Sequence, residues 1–321
     1  MGINRRQVLW ALAAAPRAIA QPTAPIRVRA FNHMTLTVSD LQRSVEFYQG
    51  LFGLAVQERQ SGSVGLRIGA GPQHLGLSQG SRPAIHHFCM TVDGFDAARL
   101  TRELAAHGVT QGEPGPVKTW IRQREGTPEL YLEDPDGIRM QLQDTSYCGG
   151  GGALGNRCGA SEASPAKGLL AVRGISHFTL GVSDRQRSTA FYQQTFGMPV
   201  QARQGATVLL AVGGDRQFLT MGGLNGATRN APSIAHGCLT MEGFQPDAVM
   251  KTLSEFGLKP RGDASGRAAP LVFYVSLRME DRGGAKGGTP ELYFTDPDGI
   301  LMQIQDVRYC GGSGYLGEVC A

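Results

Sequence analysis

Apolar and polar residues follow a regular order at the start of the chain. Residues 31–38 alternate between apolar and polar, which predicts a strand. Apolar residues at helical spacing follow between Asp40, a residue type that caps helices, and Gly53, a type that ends them, and predict a helix. Further short strands are predicted near residues 64–68 and 74–78. This stretch therefore predicts a module of the type βαβββ.

The same order begins again directly afterwards. Residues 85–92 predict a strand and residues 96–107 predict a helix. Three more strands are predicted, near residues 120–124, 129–133 and 138–143. The Asp-Pro-Asp-Gly sequence at 134–137 separates the last two strands and has the residue types of a tight turn. The first part of the chain thus holds two such modules.

The chain then repeats this whole pattern. Residues 31–40 match residues 175–184, and residues 127–138 match residues 289–300. The offset grows from 144 to 162 between these matches, so the second copy carries an insertion of 18 residues, mostly in the glycine-rich region 261–288. We therefore expect a duplicated domain and four modules in all.

The expected domain boundaries follow from this repeat. The first domain is expected at residues 27–158 and the second at residues 172–320, joined by a small, polar linker at residues 159–171. A length of 321 residues fits two domains. The composition, with 41% hydrophobic and 18% charged residues, excludes an intrinsically disordered chain.

The first twenty residues have the features of an export signal. Arg5 and Arg6 precede a short apolar run at residues 8–15, and residues 18–20 read Ala-Ile-Ala, a signal-peptidase site. The arginine pair indicates the twin-arginine (Tat) route, and an ordinary Sec signal is the alternative. Removing residues 1–20 takes away three arginines and no acid, so the formal charge falls from +4 to +1. We expect a periplasmic or extracellular protein that uses the Tat machinery, binds no nucleic acid and has no membrane span when mature.

Three features of each half together resemble a known family. They are a histidine on the first strand, a helix reading Phe-Tyr-x-x-x-Phe-Gly and a terminal Asp-Pro-Asp-Gly hairpin. This set resembles the vicinal oxygen chelate superfamily, which includes glyoxalase I, type I extradiol dioxygenases and the bleomycin and fosfomycin resistance proteins. The resemblance implies an α+β fold in which two βαβββ modules form an open eight-stranded barrel with a divalent metal in its cup. Four modules in one chain resemble the two-domain extradiol dioxygenases.

The resemblance implies a metal site in each half. Dioxygenase-like members place one histidine on the first strand of each module and a glutamate on the last strand, which leaves open positions on the metal. The matching residues are His33, His87 and Gln141 in the first half, and His177, His236 and Gln303 in the second half. Glutamine replaces the carboxylate in both halves and is a poorer ligand for hard divalent cations. The expected cofactor is a divalent ion of Fe, Mn, Zn or Ni.

Nearby glutamates offer a second source of the missing carboxylate. If the first turn is centred on Pro135, Glu129 faces Gln141 across the hairpin, and by the same register Glu291 faces Gln303. Facing residues point to the same side of a sheet, so both glutamates are candidate ligands or catalytic groups. A one-residue slip in register would point them away.

Tyrosine and one further histidine complete the candidate chemistry. Tyr131 and Tyr293 each lie ten residues before the glutamine of their half, a spacing that resembles the substrate-binding tyrosine of extradiol enzymes. Ordinary strand packing is the alternative for both. His74 lies near a fourth-ligand position of glyoxalase-like members and has no counterpart in the second half. We expect His74 to be an exposed side chain rather than a ligand.

Six cysteines form three repeat-related pairs. In an exported protein, cysteines ten residues apart at the end of each half predict disulfides, although three pairings are formally possible and a zinc site is the alternative. The expected disulfides are Cys148–Cys158 and Cys310–Cys320. Cys89 and Cys238 follow His87 and His236 by two residues, and we expect them to be small buried side chains rather than reactive thiols.

Two functions remain open from the sequence. One is a metal-dependent enzyme that acts on a small oxygenated substrate, either catechol-like with ring cleavage or dicarbonyl-like with lyase or isomerase chemistry. The replacement of the carboxylate by glutamine weakens ring cleavage more than the second chemistry, whereas the four-module layout favours ring cleavage. The alternative is a binding protein that sequesters a small molecule or a metal without turnover. A third possibility is a structural domain with neither function, because its site has decayed.

Overall fold

The computed structural model describes residues 24–214, 216–224, 230–262 and 266–320. The expected signal at residues 1–20 lies outside these ranges. The first half contains the strands Val28–Val38 (β1), Val56–Gln60 (β2), Ser63–Arg67 (β3), His74–Gln79 (β4), Ala84–Val92 (β5), Thr110–Gln111 (β6), Lys118–Arg124 (β7), Thr127–Glu133 (β8) and Arg139–Asp144 (β9), and the helices Leu41–Phe52 (α1) and Ala97–Ala106 (α2).

The second half repeats this order. Its elements are the strands Val172–Val182 (β10), Val200–Gln204 (β11), Thr207–Ala211 (β12), Phe218–Gly223 (β13), Ser233–Met241 (β14), Lys259–Pro260 (β15), Val272–Arg278 (β16), Thr289–Thr295 (β17) and Leu301–Asp306 (β18), the helices Arg185–Phe196 (α3) and Pro246–Glu255 (α4), and a short 3₁₀ helix at Glu280–Arg282. None of these helices has the length and hydropathy of a membrane-spanning segment.

Helix ends follow from local chemistry. The Asp40 side chain accepts a hydrogen bond from Arg43 N at the start of α1, and Gly53 ends that helix in the left-handed region at φ 67°. Asp184 and Gly197 repeat both roles around α3. The expected helices of the first module are therefore present in both halves at the expected boundaries.

Each half forms one mixed sheet of nine strands. The strand order in the first half is β2-β3-β4-β1-β5-β9-β8-β7-β6, so β1 and β5, the first strands of the two modules, lie side by side at the centre. The resemblance implied eight strands in each half, and the sequence placed seven in the first half. The two strands that were missed there are β2 and the two-residue edge strand β6. Within the described residues, the nine strands of each half form a sheet in this order, and no closed barrel is seen.

The two halves share one hydrophobic core. Phe178 packs edge-on against Phe31, with ring centroids 4.8 Å apart, and stacks on Phe88 at 5.0 Å. Helix α1 also packs on the second-half sheet, where Phe52 meets Phe294 at 6.0 Å. Because apolar surface is removed from water across the boundary, each half depends on the other for part of its core.

Two buried tyrosine–aspartate pairs cross the same boundary. Tyr48 donates a hydrogen bond to Asp296 at 3.2 Å, and Tyr192 donates one to Asp134 at 3.1 Å. Each aspartate opens the Asp-Pro-Asp-Gly turn of one half, so each turn is held by the first helix of the other half. Burial raises the pKa of Asp134 and of Asp296 to about 6.

Candidate metal centre

One row of side chains crosses the sheet of each half. Register partners on adjacent strands point to the same face, so these side chains line one surface. The row of the first half is His74, His33, Cys89, Gln141, Tyr131 and Trp120. The row of the second half is Phe218, His177, Cys238, Gln303, Tyr293 and Tyr274. His87 and His236 share this face because they lie two residues before the row's cysteine.

The first half brings its three expected ligands into mutual contact. His33 Nε2 lies 3.2 Å from His87 Nε2 and 3.1 Å from Gln141 Oε1, and His87 Nε2 lies 3.0 Å from Gln141 Oε1. All three side chains are buried. Metal–ligand bonds of about 2.1 Å at right angles separate neighbouring ligands by about 3 Å. The triangle therefore has the spacing of three ligands on one face of a metal ion.

The ring of His33 is oriented by hydrogen bonds behind it. Asn32 Nδ2 donates to the Tyr147 carbonyl at 2.8 Å, which turns Asn32 Oδ1 toward His33 Nδ1 at 2.7 Å. A proton on Nδ1 leaves the lone pair on Nε2 directed into the triangle. Burial, reinforced by His74 and His87, holds the pKa of His33 well below its ordinary value. The imidazole is therefore neutral at pH 7, as a metal ligand must be.

The amide of Gln141 also fits a cation. Its oxygen faces both imidazoles, whereas its buried Nε2 has no hydrogen-bond partner among the described residues. Within the same ranges, no group of three or more His, Cys, Asp or Glu side chains is arranged as a metal site. The triangle is not such a group, because its third vertex is the neutral amide oxygen of Gln141 rather than a carboxylate. The donor set fits a divalent ion that accepts nitrogen and neutral oxygen ligands.

Glu129 does not face Gln141, so the expected register is wrong. Tyr131 pairs with Gln141, and Tyr293 pairs with Gln303, because the Asp134 amide bonds the Ile138 carbonyl and the turn is centred one residue later than expected. The shift between the strands is two residues, which preserves the side on which a residue points. Glu129 and Glu291 therefore still point to the same side of the sheet as the glutamines, but two residue pairs farther from the turn.

Glu129 is tied by three donors. Arg124 Nε lies 2.5 Å from its Oε1, the Tyr147 hydroxyl donates to Oε1 at 3.0 Å, and the Tyr131 hydroxyl donates to Oε2 at 3.1 Å. Burial and the Glu129 charge raise the pKa of Tyr131 well above its ordinary value, so its hydroxyl keeps its proton. Glu291 has the same partners in the second half, namely Arg278, Tyr309 and Tyr293. Both glutamates therefore act as the anions of buried networks.

His74 is buried, which corrects the expectation of an exposed side chain. It is 4% exposed and stacks on His33, with ring centroids 4.4 Å apart. Its Nδ1 lies 3.1 Å from the Pro72 carbonyl, which directs Nε2 toward the cup. Glu58 lines the same cup and was missed from the sequence, because β2 itself was not predicted. Burial raises the pKa of Glu58.

A family model now identifies the chain. The model for the Glyoxalase/Bleomycin resistance protein/Dioxygenase superfamily matches residues 30–142 and 174–255. The chain belongs to this superfamily. Glutathione transferase FosA of Serratia marcescens is 28% identical over 151 residues, which span 44% of this chain and 95% of that protein. Catechol-2,3-dioxygenase of Bacillus subtilis (strain 168) is 25% identical over 224 residues, 61% of this chain and 75% of that protein.

Solved structures of the superfamily share this fold. The Mn(II)-bound glyoxalase from Novosphingobium aromaticivorans superposes with a TM-score of 0.62 at 15% identity, covering 87% of this chain and 82% of that chain. Homoprotocatechuate 2,3-dioxygenase from Arthrobacter globiformis superposes with a TM-score of 0.58 at 17% identity, covering 88% and 82%. These likenesses extend over both halves and establish the architecture.

The second half of the chain keeps part of the same geometry. His177 Nε2 lies 3.0 Å from Gln303 Oε1, while His236 Nε2 lies 3.1 Å from the Thr179 hydroxyl. Phe218 stacks on His177 at 4.4 Å, in the position that His74 takes against His33. Burial and His236 lower the pKa of His177 well below its ordinary value.

The cysteines divide into two groups. Disulfides join Cys148 to Cys158 and Cys310 to Cys320. Cys89 and Cys238 are free and buried, and burial raises the pKa of both thiols well above its ordinary value. A thiol that keeps its proton is a poor nucleophile and a poor metal ligand, so the two free cysteines fit the expected role of small buried side chains.

Proposed function

We propose that the first half is a metal-dependent enzyme site for a small, oxygen-rich, polar substrate, with lyase or isomerase chemistry rather than ring cleavage. The observation that carries this proposal is the triangle of His33, His87 and Gln141, whose three contacts span 3.0–3.2 Å. A divalent ion of Fe, Mn, Zn or Ni held there would supply a Lewis acid that polarises substrate oxygens. Lactoylglutathione lyase GLX1 of Arabidopsis thaliana, 29% identical over 134 residues, supports lyase chemistry, whereas the catechol-2,3-dioxygenase match supports the ring-cleavage alternative.

The lining of the first-half cup supports a polar substrate. The cavity measures about 150 Å³, and Val64 and Leu77 are its only aliphatic side chains among the described residues. The other side chains at its wall include Thr35, Glu58, Gln60, Ser63, Ser78 and Arg122. The rings of Tyr131 and Tyr147 also line the cup, but charged and polar side chains make up most of its wall. Small polyoxygenated molecules therefore suit it better than catechols.

The carboxyls of the cup have different roles in this proposal. Glu129 is held by Arg124 and by two tyrosine hydroxyls, so it positions Tyr131, whose protonated hydroxyl faces the cup. Glu58 accepts one side-chain hydrogen bond, from Gln60 at 2.6 Å, and its raised pKa brings it closer to neutrality. A carboxyl in that state can accept a proton from substrate and return it. We therefore assign proton transfer to Glu58.

We expect His33→Ala and His87→Ala each to lower metal affinity at least tenfold, because each removes one nitrogen ligand of three. The measurement is metal content of purified protein by mass spectrometry, with His107→Ala as the control because His107 lies at the exposed end of α2. Metal-loaded protein is then assayed with the hemithioacetal of methylglyoxal, and with catechols in an oxygen electrode. Less than about one-tenth equivalent of metal per chain in the parent would contradict the enzyme proposal.

A hydrogen-bond chain from Arg139 tunes the same site. Arg139 can only donate, so it fixes His86 Nε2, 2.8 Å away, as an acceptor, and His86 Nδ1 then donates to His87 Nδ1 at 2.8 Å. This leaves the proton of His87 on Nε2, where it competes with a metal. We expect Arg139→Leu, which places the counterpart residue Leu301 there, to raise first-half metal affinity by about tenfold. A chelator competition measures it, and unchanged affinity relative to the Arg99→Leu control would refute it.

A binding protein without turnover is the second candidate. The observation that favours it is that Glu129 is fully engaged by its three partners, so one of the two cup carboxyls takes no part in proton transfer. Tight binding of a substrate analogue, together with no turnover in the panel above and no effect of Glu58→Gln, would favour this candidate.

We also propose that the protein is exported through the Tat pathway to the periplasm or beyond. The arginine pair at residues 5–6 motivates this proposal, and the two disulfides support it because such bonds persist in oxidising compartments. Arg5→Lys with Arg6→Lys should retain the precursor inside the cell. Normal export of that variant would instead indicate the Sec route.

A further inference from the structure

Three positions beside the triangle differ together between the halves. The first half has Glu58, Gly65 and His74, and the aligned residues of the second half are Ala202, Leu209 and Phe218. Apolar side chains thus replace an acid and a histidine. The large side chain of the first pair of strands is Glu58 on β2, whereas in the second half it is Leu209 on β12, the neighbouring strand of the equivalent pair. The exchange therefore concerns the chemistry of the cup as well as its packing.

In the first half, two glycines make room for a carboxyl. A Cβ at Gly65 would lie 3.0 Å from Glu58 Cγ and 3.4 Å from His74 Cδ2, and a Cβ at Gly149 would lie 3.0 Å from Glu58 Cδ. Side chains at either position would displace Glu58. The Glu58 carboxyl, His74 and the triangle thus line one polar cavity.

In the second half, leucine fills the same space. Leu209, Phe218 and Tyr309 form a buried apolar cluster of their own, with Ala202 packed against it. A Cβ on Gly311, the counterpart of Gly149, would collide with Leu209 Cδ2. Leu209 therefore lies where Glu58 lies in the first half. Water molecules on a bound metal would meet hydrocarbon on this side instead of hydrogen-bond partners.

We infer that the chain has a single working metal site, in its first half, and that the Leu209–Phe218 cluster closes the repeated site in the second. This inference rests on the proposed metal function. In the second half His177 has a packing role instead, because it stacks on Phe218 and contacts Tyr309 in the core.

The test is the number of Mn(II) ions bound per full chain, measured by equilibrium dialysis and by electron paramagnetic resonance. We expect about one equivalent in the parent. The double variant His33→Ala/His87→Ala should lose it, and His177→Ala/His236→Ala should retain it. The triple variant A202E/L209G/F218H should gain a second equivalent, and the reverse variant E58A/G65L/H74F should lose the first.

The outcomes separate the two claims. No Mn(II) binding by the parent would refute the proposed function and this inference with it. Two equivalents in the parent, or retention in His33→Ala/His87→Ala with loss in His177→Ala/His236→Ala, would overturn the inference and leave the metal function standing. Full binding by the reverse variant would show that Glu58 and His74 do not distinguish the two halves.

Discussion

Replacing Arg278 by methionine is expected to lower the free energy of unfolding by about 3–5 kcal/mol, the largest effect of any single change considered. Arg278 is fully buried, and its guanidinium donates to Glu291 at 2.8 Å and to the carbonyls of Gly283 and Gly312 at 2.8 and 2.9 Å. Removal of the cation leaves the Glu291 carboxylate buried without its counterion. It also leaves two carbonyls without their donor.

Urea unfolding of the parent and the variant measures this loss. Arg173→Met is the matched control, because Arg173 pairs with Glu242 and both side chains are exposed, so its loss is expected to cost about 0–1 kcal/mol. The double variant Arg278→Met/Glu291→Leu should be more stable than Arg278→Met alone, since no unpaired charge remains. A double variant as unstable as the single one would show that the two carbonyl contacts, rather than the ion pair, carry the effect.

The network around Arg278 also accounts for part of the high glycine content of the chain. Glycine makes up 45 of the 321 residues, and part of the surplus lies in the loops that Arg278 joins. Its partner Gly283 lies in the insertion of the second half, and Gly312 lies within the loop closed by Cys310–Cys320. One buried cation therefore fixes two glycine-rich loops to β17.

Internal matches and period-two patterns in the sequence predicted the repeat and the modules, and the family resemblance implied that His33, His87 and Gln141 lie together. Prediction from the sequence failed where geometry depends on a turn. The hairpin register was two residues off, because the position of the turn centre at Asp136 is set by its backbone conformation and by two amide bonds to the Asp134 side chain. Residue types alone do not give that position.

The asymmetry of the two cups could not be predicted either. Glu58 and Leu209 occupy equivalent space from different strands, and an alignment pairs each of them with another residue, Ala202 and Gly65. Side-chain exchange between neighbouring strands becomes visible only when the strands are placed together. His74 shows the same limit, since its burial depends on stacking with His33 across β1 and β4.

The second large effect concerns pH and the boundary between the halves. Burial raises the pKa of Asp134 and Asp296 from 3.8 to about 6 in the folded protein. Between those values the folded state binds protons that the unfolded state has already lost. Each carboxyl therefore lowers the free energy of unfolding as pH rises from about 4 to 6, by about 2–3 kcal/mol, and this penalty persists at neutral pH.

Asp134→Asn combined with Asp296→Asn should remove that penalty. Asparagine keeps an oxygen for the two turn amides and offers an NH₂ group to the hydroxyls of Tyr192 and Tyr48, so the contacts across the boundary can persist. We expect the stability of this variant, relative to the parent, to rise by about 4–6 kcal/mol between pH 4 and pH 7. Comparing the two proteins at each pH cancels the opposing contribution of the buried histidines, whose lowered pKa values favour folding as pH rises.

Thermal and urea unfolding at pH 4, 5, 6 and 7 supply the measurement, and Asp93→Asn is the control because Asp93 is exposed and pairs with Arg29 at the surface. A pH-independent difference would mean that the two aspartates are as well solvated when folded as when unfolded. The Asp-Pro-Asp-Gly turns would then not be sealed by the opposite helices. A rise in the relative stability of the variant between pH 4 and pH 7 would instead show that each half buries the turn of the other at an electrostatic cost. Favourable packing in the shared core would then offset that cost.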